Sequence, residues 1–236
     1  MDILGVKIDN LSRKDISDKV WFFLQEEKFH QVATVNPEFI LQAQEDGGFK
    51  NILNGCDLNV ADGVGIRFAS LRFGKYLKSR MAGIDLMSEI LRLADKNNLS
   101  VFLGSYGGAL SGWEETREAI LKEYPKLKIS GATLDKEGAG YGLRVADHEV
   151  VFFNFGAPAQ EKFLHSLKNQ ENSKIRLAMG VGGSFDFLTG KIKRAPAFIR
   201  KTGLEWLWRF LQEPGYRAKR IFRAVIIFPI KVLFNK

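Results

Sequence analysis

VVFFNFGAPAQEKFLHSLKNQENSKIRLAMGVGGSFD, residues 150–186, is the stretch that decides the fold. It opens with a continuous apolar run, VVFFNFG (150–156), passes through a helical segment over 159–169, and closes with a second apolar run, IRLAMGVGG (175–183). Runs without polar alternation mark strands buried on both faces, as in a parallel sheet covered by helices. The same grammar continues upstream: SVFLG (100–104), a helix over 111–124, then LKIS (127–130). Residues 133–147 are rich in glycine and lack a helical period, so a loop is expected there.

The first half alternates in the same way. Ile3–Ile8 reads as a short strand, and Ser12–Asp15 as an S-x-x-D start for a helix over 13–27. QVATV (31–35) reads as a strand leading into NPEF, where Pro37 suits the first turn of a helix over 38–46. LNV (58–60) is followed by ADGVG and a helix near 64–73, and Leu86, Ile90, Leu91 and Leu93 give a periodic helix over 84–97. The class expected is α/β, a doubly wound, largely parallel, Rossmann-like sheet with helices on both faces. Residues 1–194 form the expected catalytic domain and residues 195–236 a helical C-terminal appendage.

Length and an apolar fraction of 45% give ample core for independent folding. The single Cys56 excludes an intramolecular disulfide and a cysteine-based zinc site, and His30, His148 and His165 are too scattered for metal-ligand spacing. MDILGVKIDN carries no basic n-region followed by an apolar run, so the expected compartment is a reducing cytoplasm. The net charge of +8 is unevenly placed: residues 189–236 hold 12 Lys and Arg against Glu205 and Glu213. The first 188 residues are left with 23 basic and 25 acidic side chains. An anionic partner for the C-terminal fifth follows.

Ligands of open α/β sheets bind at the carboxyl ends of the strands. There the sequence places Thr34 and Asn36, Asp62 and Gly63, Gly104 and Ser105, Gly156 and Gln160, and Gly180–Asp186, including Gly182 and Gly183. Glycines permit close backbone approach and helix N-termini favour anions, so a nucleotide-type ligand is expected. GVGGSFD (180–186) is neither a Walker A loop nor a dinucleotide fingerprint, and by itself reads equally as a tight turn. Asp62 and Asn36 read equally as helix N-caps. No Asp-x-Asp pair occurs, which argues against a Mg²⁺-bridged nucleotide-sugar site. An NAD-dependent oxidoreductase would need an early GxGxxG with a following acid, and neither is found.

Seven segments taken together resemble the WecG/TagA/CpsF glycosyltransferase family. They are VATVNPEF (32–39), LNVADGVGI (58–66), RMAGIDLM (80–87), FLGS (102–105), FGAPAQEKF (155–163), AMGVGGSFD (178–186) and KRAPAFIRKTGLEWLWRFLQEP (193–214). The resemblance runs in order from about residue 3 to residue 223. It implies an inverting, metal-independent transfer from a UDP-sugar to a polyprenyl-diphosphate-linked sugar, without cofactor. The setting implied is the cytoplasmic membrane face, in synthesis of bacterial surface polysaccharide or teichoic acid. Donors within the family include N-acetylmannosamine, its uronic acid and glucose, and homo-oligomers occur.

Carried over residue by residue, the family's catalytic base falls on Asp62, its pocket threonine and asparagine on Thr34 and Asn36, and its active-site arginine on Arg80. Gln160, Glu161 and Asp186 fall in segments expected to line the nucleotide side. Two departures are visible: Ala159 replaces the usual lysine, and the 133–147 region is shorter than usual. A retained Asp62 argues against a degenerate member that binds without turnover.

The appendage is basic and amphipathic. Leu204, Trp206, Leu207, Trp208, Phe210 and Leu211 are apolar almost all round, which fits either packing or insertion at an interface. At 100° per residue, Arg217, Lys219, Arg220, Arg223 and Lys231 take one side of 216–236. Ile221, Phe222, Val225, Ile226, Phe228, Val232 and Leu233 take the other. Ile227, Ile230 and Phe234 break the pattern, and Pro229 is expected to kink it. The stretch is too short and charged to span a bilayer, so a helix lying on an anionic membrane surface is expected. Basic residues interleaved with Ile, Val and Phe argue against nucleic acid as the partner. The resemblance makes Arg217, Arg220 and Arg223 candidates for gripping the acceptor diphosphate, with a solvated basic face as the alternative.

Overall fold

A computed structural model describes residues 1–134 and 144–234. Six strands form one parallel sheet: β3 (His30–Val35), β4 (Leu58–Ala61), β5 (Ser100–Tyr106), β6 (Lys128–Leu134), β7 (Val150–Phe153) and β8 (Leu177–Gly180). Their spatial order is β4-β3-β8-β7-β5-β6. The chain moves outward from β3 to β4, crosses the sheet, and moves outward the other way from β5 to β6. β7 and β8 then fill the gap. That reversal creates the topological switch point at which α/β sheets take their ligands.

Alternate residues of each strand enter different cores. On one face Val32, Leu58, Val60, Val101, Leu103, Val150, Phe152, Leu177 and Met179 pack with α1 (Arg13–Gln25), α5 (Gly83–Lys96) and α6 (Trp113–Glu123). On the other, Ala33, Val35 and Ala61 pack with α2 (Pro37–Glu45), α3 (Gly47–Asn54) and α4 (Val64–Arg72). Phe102, Val151, Phe153 and Ala178 continue that face against α7 (Ala159–Ser166). Both faces being dry explains the unbroken apolar runs, and each large side chain so buried contributes roughly 1.5–3 kcal/mol.

Local signals set the ends of the elements. Ser12 and Asp15 form a reciprocal capping box at α1, and Asn36 Oδ1 accepts from Phe39 N–H at 3.1 Å with Pro37 in the first turn of α2. The expected strand over Ile3–Ile8 is instead a hairpin of β1 (Asp2–Ile3) and β2 (Val6–Lys7). Leu4 and Gly5 turn it with φ of 52° and 76°, the left-handed geometry of tight hairpins. Helix α3, not among the elements expected from sequence, follows α2 directly, capped by Asp46 and burying Phe49 and Leu53. The larger part of the loop expected over 133–147 lies outside the described residues.

The C-terminal segment is helical: α8 (Ser184–Leu188), α9 (Ala197–Thr202), α10 (Glu205–Gln212), α11 (Pro214–Phe222) and α12 (Phe228–Phe234). Between α11 and α12 the backbone makes a π turn over Arg223–Ile227, with Phe228 N–H donating to Arg223 O. Pro229 is thus accommodated by a π turn rather than by a break between helices. Phe228 and Val232 are fully buried in the core beside α2 and α4. A uniform wheel loses its phase across a π turn. Accordingly Ile227 joins Phe228 and Val232 inside, while Phe222, Val225, Ile226, Ile230, Leu233 and Phe234 face outward. Among the described residues no helix is long and apolar enough to cross a membrane.

Candidate active site

Strand β4 ends one residue before Asp62, whose N–H donates to Val35 O at 2.8 Å and so continues the β3–β4 pairing. Met81 N–H donates to Ala61 O at 3.0 Å, which brings Arg80 alongside. Gly63 then turns the chain into α4 with φ +83°, a conformation that favours glycine, and its N–H reaches the Asp62 carboxyl. Asp62 keeps part of its surface open while its carboxyl is enclosed by protein. Burial pushes the carboxyl up to about 6; the Arg80 and Arg209 guanidiniums oppose this and Glu205 adds to it.

The second wall comes from the appendage. Arg80 Nη2 donates to Arg200 O at 2.8 Å, tying the body to α9. Glu205 and Arg209 lie four residues apart on α10 and therefore share a face. Glu205 is held by Arg194, which also pairs with Asp85 at the start of α5. Arg209 sits over the Phe187 ring at 4.6 Å, and a Cβ on Gly183 would lie 2.8 Å from its Nη2. Burial, with Arg217 nearby, lowers the Arg209 guanidinium to about 10. Asp186 is raised by burial, against a hydrogen bond from Ser111 and the Arg209 charge. Two carboxyls that resist ionisation and an arginine short of partners thus meet where β4 and β8 end.

Thr34 and Ser184 bring hydroxyls to the head of α5. A Cβ on Gly83 would stand 3.2 Å from Thr34 Oγ1 and 3.7 Å from Ser184 Oγ. The Ser184 hydroxyl donates to Val181 O at 2.7 Å. A side chain at residue 83 would thus press on Thr34 Oγ1 and touch Ser184 Oγ.

Other candidates have structural occupations. Asn36 caps α2. Gly104 makes room for the Phe153 ring, which a Cβ would meet at 2.0 Å, and Ser105 Oγ bonds Thr133 Oγ1 at 3.2 Å. Gly156 and Gly182 turn with φ of +83° and +47°, and their N–H groups donate to Gln160 Oε1 at 3.0 and 3.3 Å. Gln160 thereby ties the β7 and β8 turns together. Burial raises the neighbouring Glu161 carboxyl to about 7.

The three appendage arginines divide. Arg217 pairs with Glu213 at 2.7 Å and influences both Arg209 and Asp186, so it belongs to the site's electrostatics. Arg220 makes a bidentate pair with Glu38 in the first turn of α2 while its charge also lowers Arg209, and Arg223 pairs with Glu45 at the far end of α2. Arg200, Glu205 and Arg209 were not singled out from sequence. Glu205 and Arg209 carry a signal, charge at i and i+4 inside the largely apolar EWLWRFLQ (205–212), and Arg200 carries none.

The glycosyl transferase WecG/TagA/CpsF family model matches residues 1–236. A Bacillus spizizenii protein is 33% identical over 197 residues, covering 82% of this chain and 75% of the relative. A Staphylococcus aureus protein is 31% identical over 240 residues, covering 98% and 91%. Both are named N-acetylglucosaminyldiphosphoundecaprenol N-acetyl-beta-D-mannosaminyltransferase. With an enclosed Asp62 carboxyl raised to about 6 at the end of β4 and a match from end to end, the chain belongs to the WecG/TagA/CpsF family of glycosyltransferases.

Proposed function

We propose that this protein transfers N-acetylmannosamine from a UDP-sugar to N-acetylglucosaminyl-diphosphoundecaprenol, inverting the anomeric centre and using no metal. The acceptor and the transferred sugar follow from the names of the relatives. The observation that carries the chemistry is the enclosed Asp62 carboxyl beside Arg80 and Arg209.

An acceptor hydroxyl becomes an adequate nucleophile only as its proton leaves. Its oxygen bonds to the donor's anomeric carbon, the bond from that carbon to the β-phosphate oxygen breaks, and UDP departs with the electron pair. Asp62 takes the proton, a role worth roughly 10²–10⁴ in rate. A carboxyl that ionises near 6 is mostly charged at neutral pH yet basic enough to accept that proton. Arg80 and Arg209 supply the positive charge that the leaving diphosphate needs, a task planar guanidiniums suit.

The appendage closes this cleft from one side, and its outward Phe222, Ile226, Ile230 and Phe234 lie on the cytoplasmic membrane surface that carries the acceptor. Arg220 and Arg223 exchange their α2 carboxylates for the acceptor's phosphates when it arrives.

Asp62→Asn tests the assignment. UDP binding by calorimetry should stay within about threefold while turnover falls roughly 10²–10⁴-fold. Turnover near that of the parent protein would refute the role of Asp62. Turnover undiminished by EDTA is expected, and loss restored by Mg²⁺ would refute metal independence.

A further inference from the structure

We propose that Glu161 is a positioning residue of the donor pocket: its carboxyl holds the Gln160 amide in the one orientation that gathers the Gly156 and Gly182 N–H groups. This rests on the proposed use of a UDP-sugar, with the turns after β7 and β8 taken as the segments that line its nucleotide side.

A primary amide has a donor end and an acceptor end, and a neighbour decides which way it faces. Glu161 Oε1 takes the Gln160 Nε2 proton at 2.6 Å. The Gln160 oxygen is thereby turned toward two backbone donors, one from the turn after β7 and one from the turn after β8. Reversal of the amide would set its NH₂ against both N–H groups, donor against donor, and take the Gln160 oxygen away from them. Gln160 and Glu161 are 3% and 1% exposed, so water cannot substitute.

Two further contacts fix the pair. Gln31 Nε2 donates to Glu161 O at 3.0 Å, anchoring the start of α7 to β3. Gly180 leaves no space for movement, because a Cβ there would stand 2.4 Å from Gln160 Nε2 and 2.6 Å from Glu161 Oε1. Glu161 Oε2 has no hydrogen-bond partner among the described residues. A proton taken up there leaves Oε1 an acceptor, so the amide is oriented in either ionisation state. Glu161 therefore sets the separation of the β7 and β8 turns without reaching the ligand itself.

The test exchanges the two functional groups. Gln160→Glu alone faces one carboxylate with another, whereas the swap Q160E/E161Q rebuilds an acceptor toward the glycines and a donor between the side chains. UDP affinity by calorimetry and donor KM should worsen about tenfold or more in Q160E and in Glu161→Leu, with kcat at saturating donor changed far less. The swap should return to within about threefold of the parent protein. A swap no better than Q160E, or Glu161→Leu with parental UDP affinity, would overturn the proposal. Amide hydrogen exchange in the unsubstituted protein gives a readout independent of UDP and of variant folding. Slow exchange at Gly156 and Gly182 is expected, and free exchange would overturn the orientation. If the parent protein binds no UDP while both amides are protected, the donor reading fails and the orientation stands.

Discussion

Residues 1–188 are almost neutral and residues 189–236 carry a surplus of ten positive charges, yet both regions bring charge into the same cleft. The body contributes acids that resist ionisation, Asp62 and Asp186, both raised by burial. The appendage contributes arginines, most of them already matched. Arg217, Arg220 and Arg223 pair with Glu213, Glu38 and Glu45, and Arg194, just ahead of the appendage, pairs with Asp85 and Glu205. Formal surplus and available charge are therefore different quantities. Arg220 and Arg223 clamp the appendage on the body through Glu38 and Glu45, and apolar residues of α11 and α12 face outward.

The clamp is broken most severely from inside. Phe228→Ala should destabilise the whole protein by about 3–5 kcal/mol in denaturant unfolding, because a fully buried ring joins α12 to α2 and α4. Truncation after Pro214, which removes Phe228 and Val232 together, should likewise lower stability as well as activity. If unfolding of Phe228→Ala matched the parent protein, the appendage would not share the body's core.

Next in size is the charge that crosses the boundary. Arg209→Met should lower kcat/KM roughly 10²–10³-fold with little loss of melting temperature, since removing one preorganised donor to developing charge costs about that much. An unchanged kcat/KM would confine Arg209 to a structural role.

The outward face sharpens the comparison further. Ile226→Ser with Ile230→Ser should weaken cosedimentation with anionic vesicles by about thirtyfold, at two exposed side chains of about 1 kcal/mol each, and leave turnover on a short-chain acceptor intact. Equal loss on both substrates would show that these residues serve the fold. Arg220→Met is expected to have the smallest stability effect, about 1 kcal/mol or less, because its partner Glu38 is a half-exposed surface group.

What the sequence made legible follows from where each signal is local. Double burial wrote itself into VVFFNFG and IRLAMG as uninterrupted apolar runs, and Asp62 was marked by standing at a strand end before glycine. The Leu4–Gly5 hairpin was hidden because alternation from Ile3 to Ile8 reads as one strand, and only positive φ values at two residues reverse the chain. Gly104 read as a ligand approach, whereas a ring from the neighbouring strand, 49 residues away, demands it. Glu205 and Arg209 escaped notice because their importance arises from the packing of α10 against turns far upstream. The π turn before Pro229 defeated the helical wheel, which assumes one constant angle per residue.

Burial of Asp62 makes the most direct test a matter of pH. Its folded pKa is raised, so the ionised, proton-accepting form appears only as pH rises through about 6, above the ordinary carboxylate range. The same shift means that its contribution to stability is fully present below the unfolded carboxyl's pKa and is lost as pH rises toward about 6. The decisive measurement is kcat/KM against pH, which reports the ionisations of the free enzyme, with folding monitored across the range. An acid limb of unit slope with its midpoint near 6, absent from the residual rate of Asp62→Asn, is the predicted result. A limb that persists unchanged in that variant would contradict Asp62 as the base.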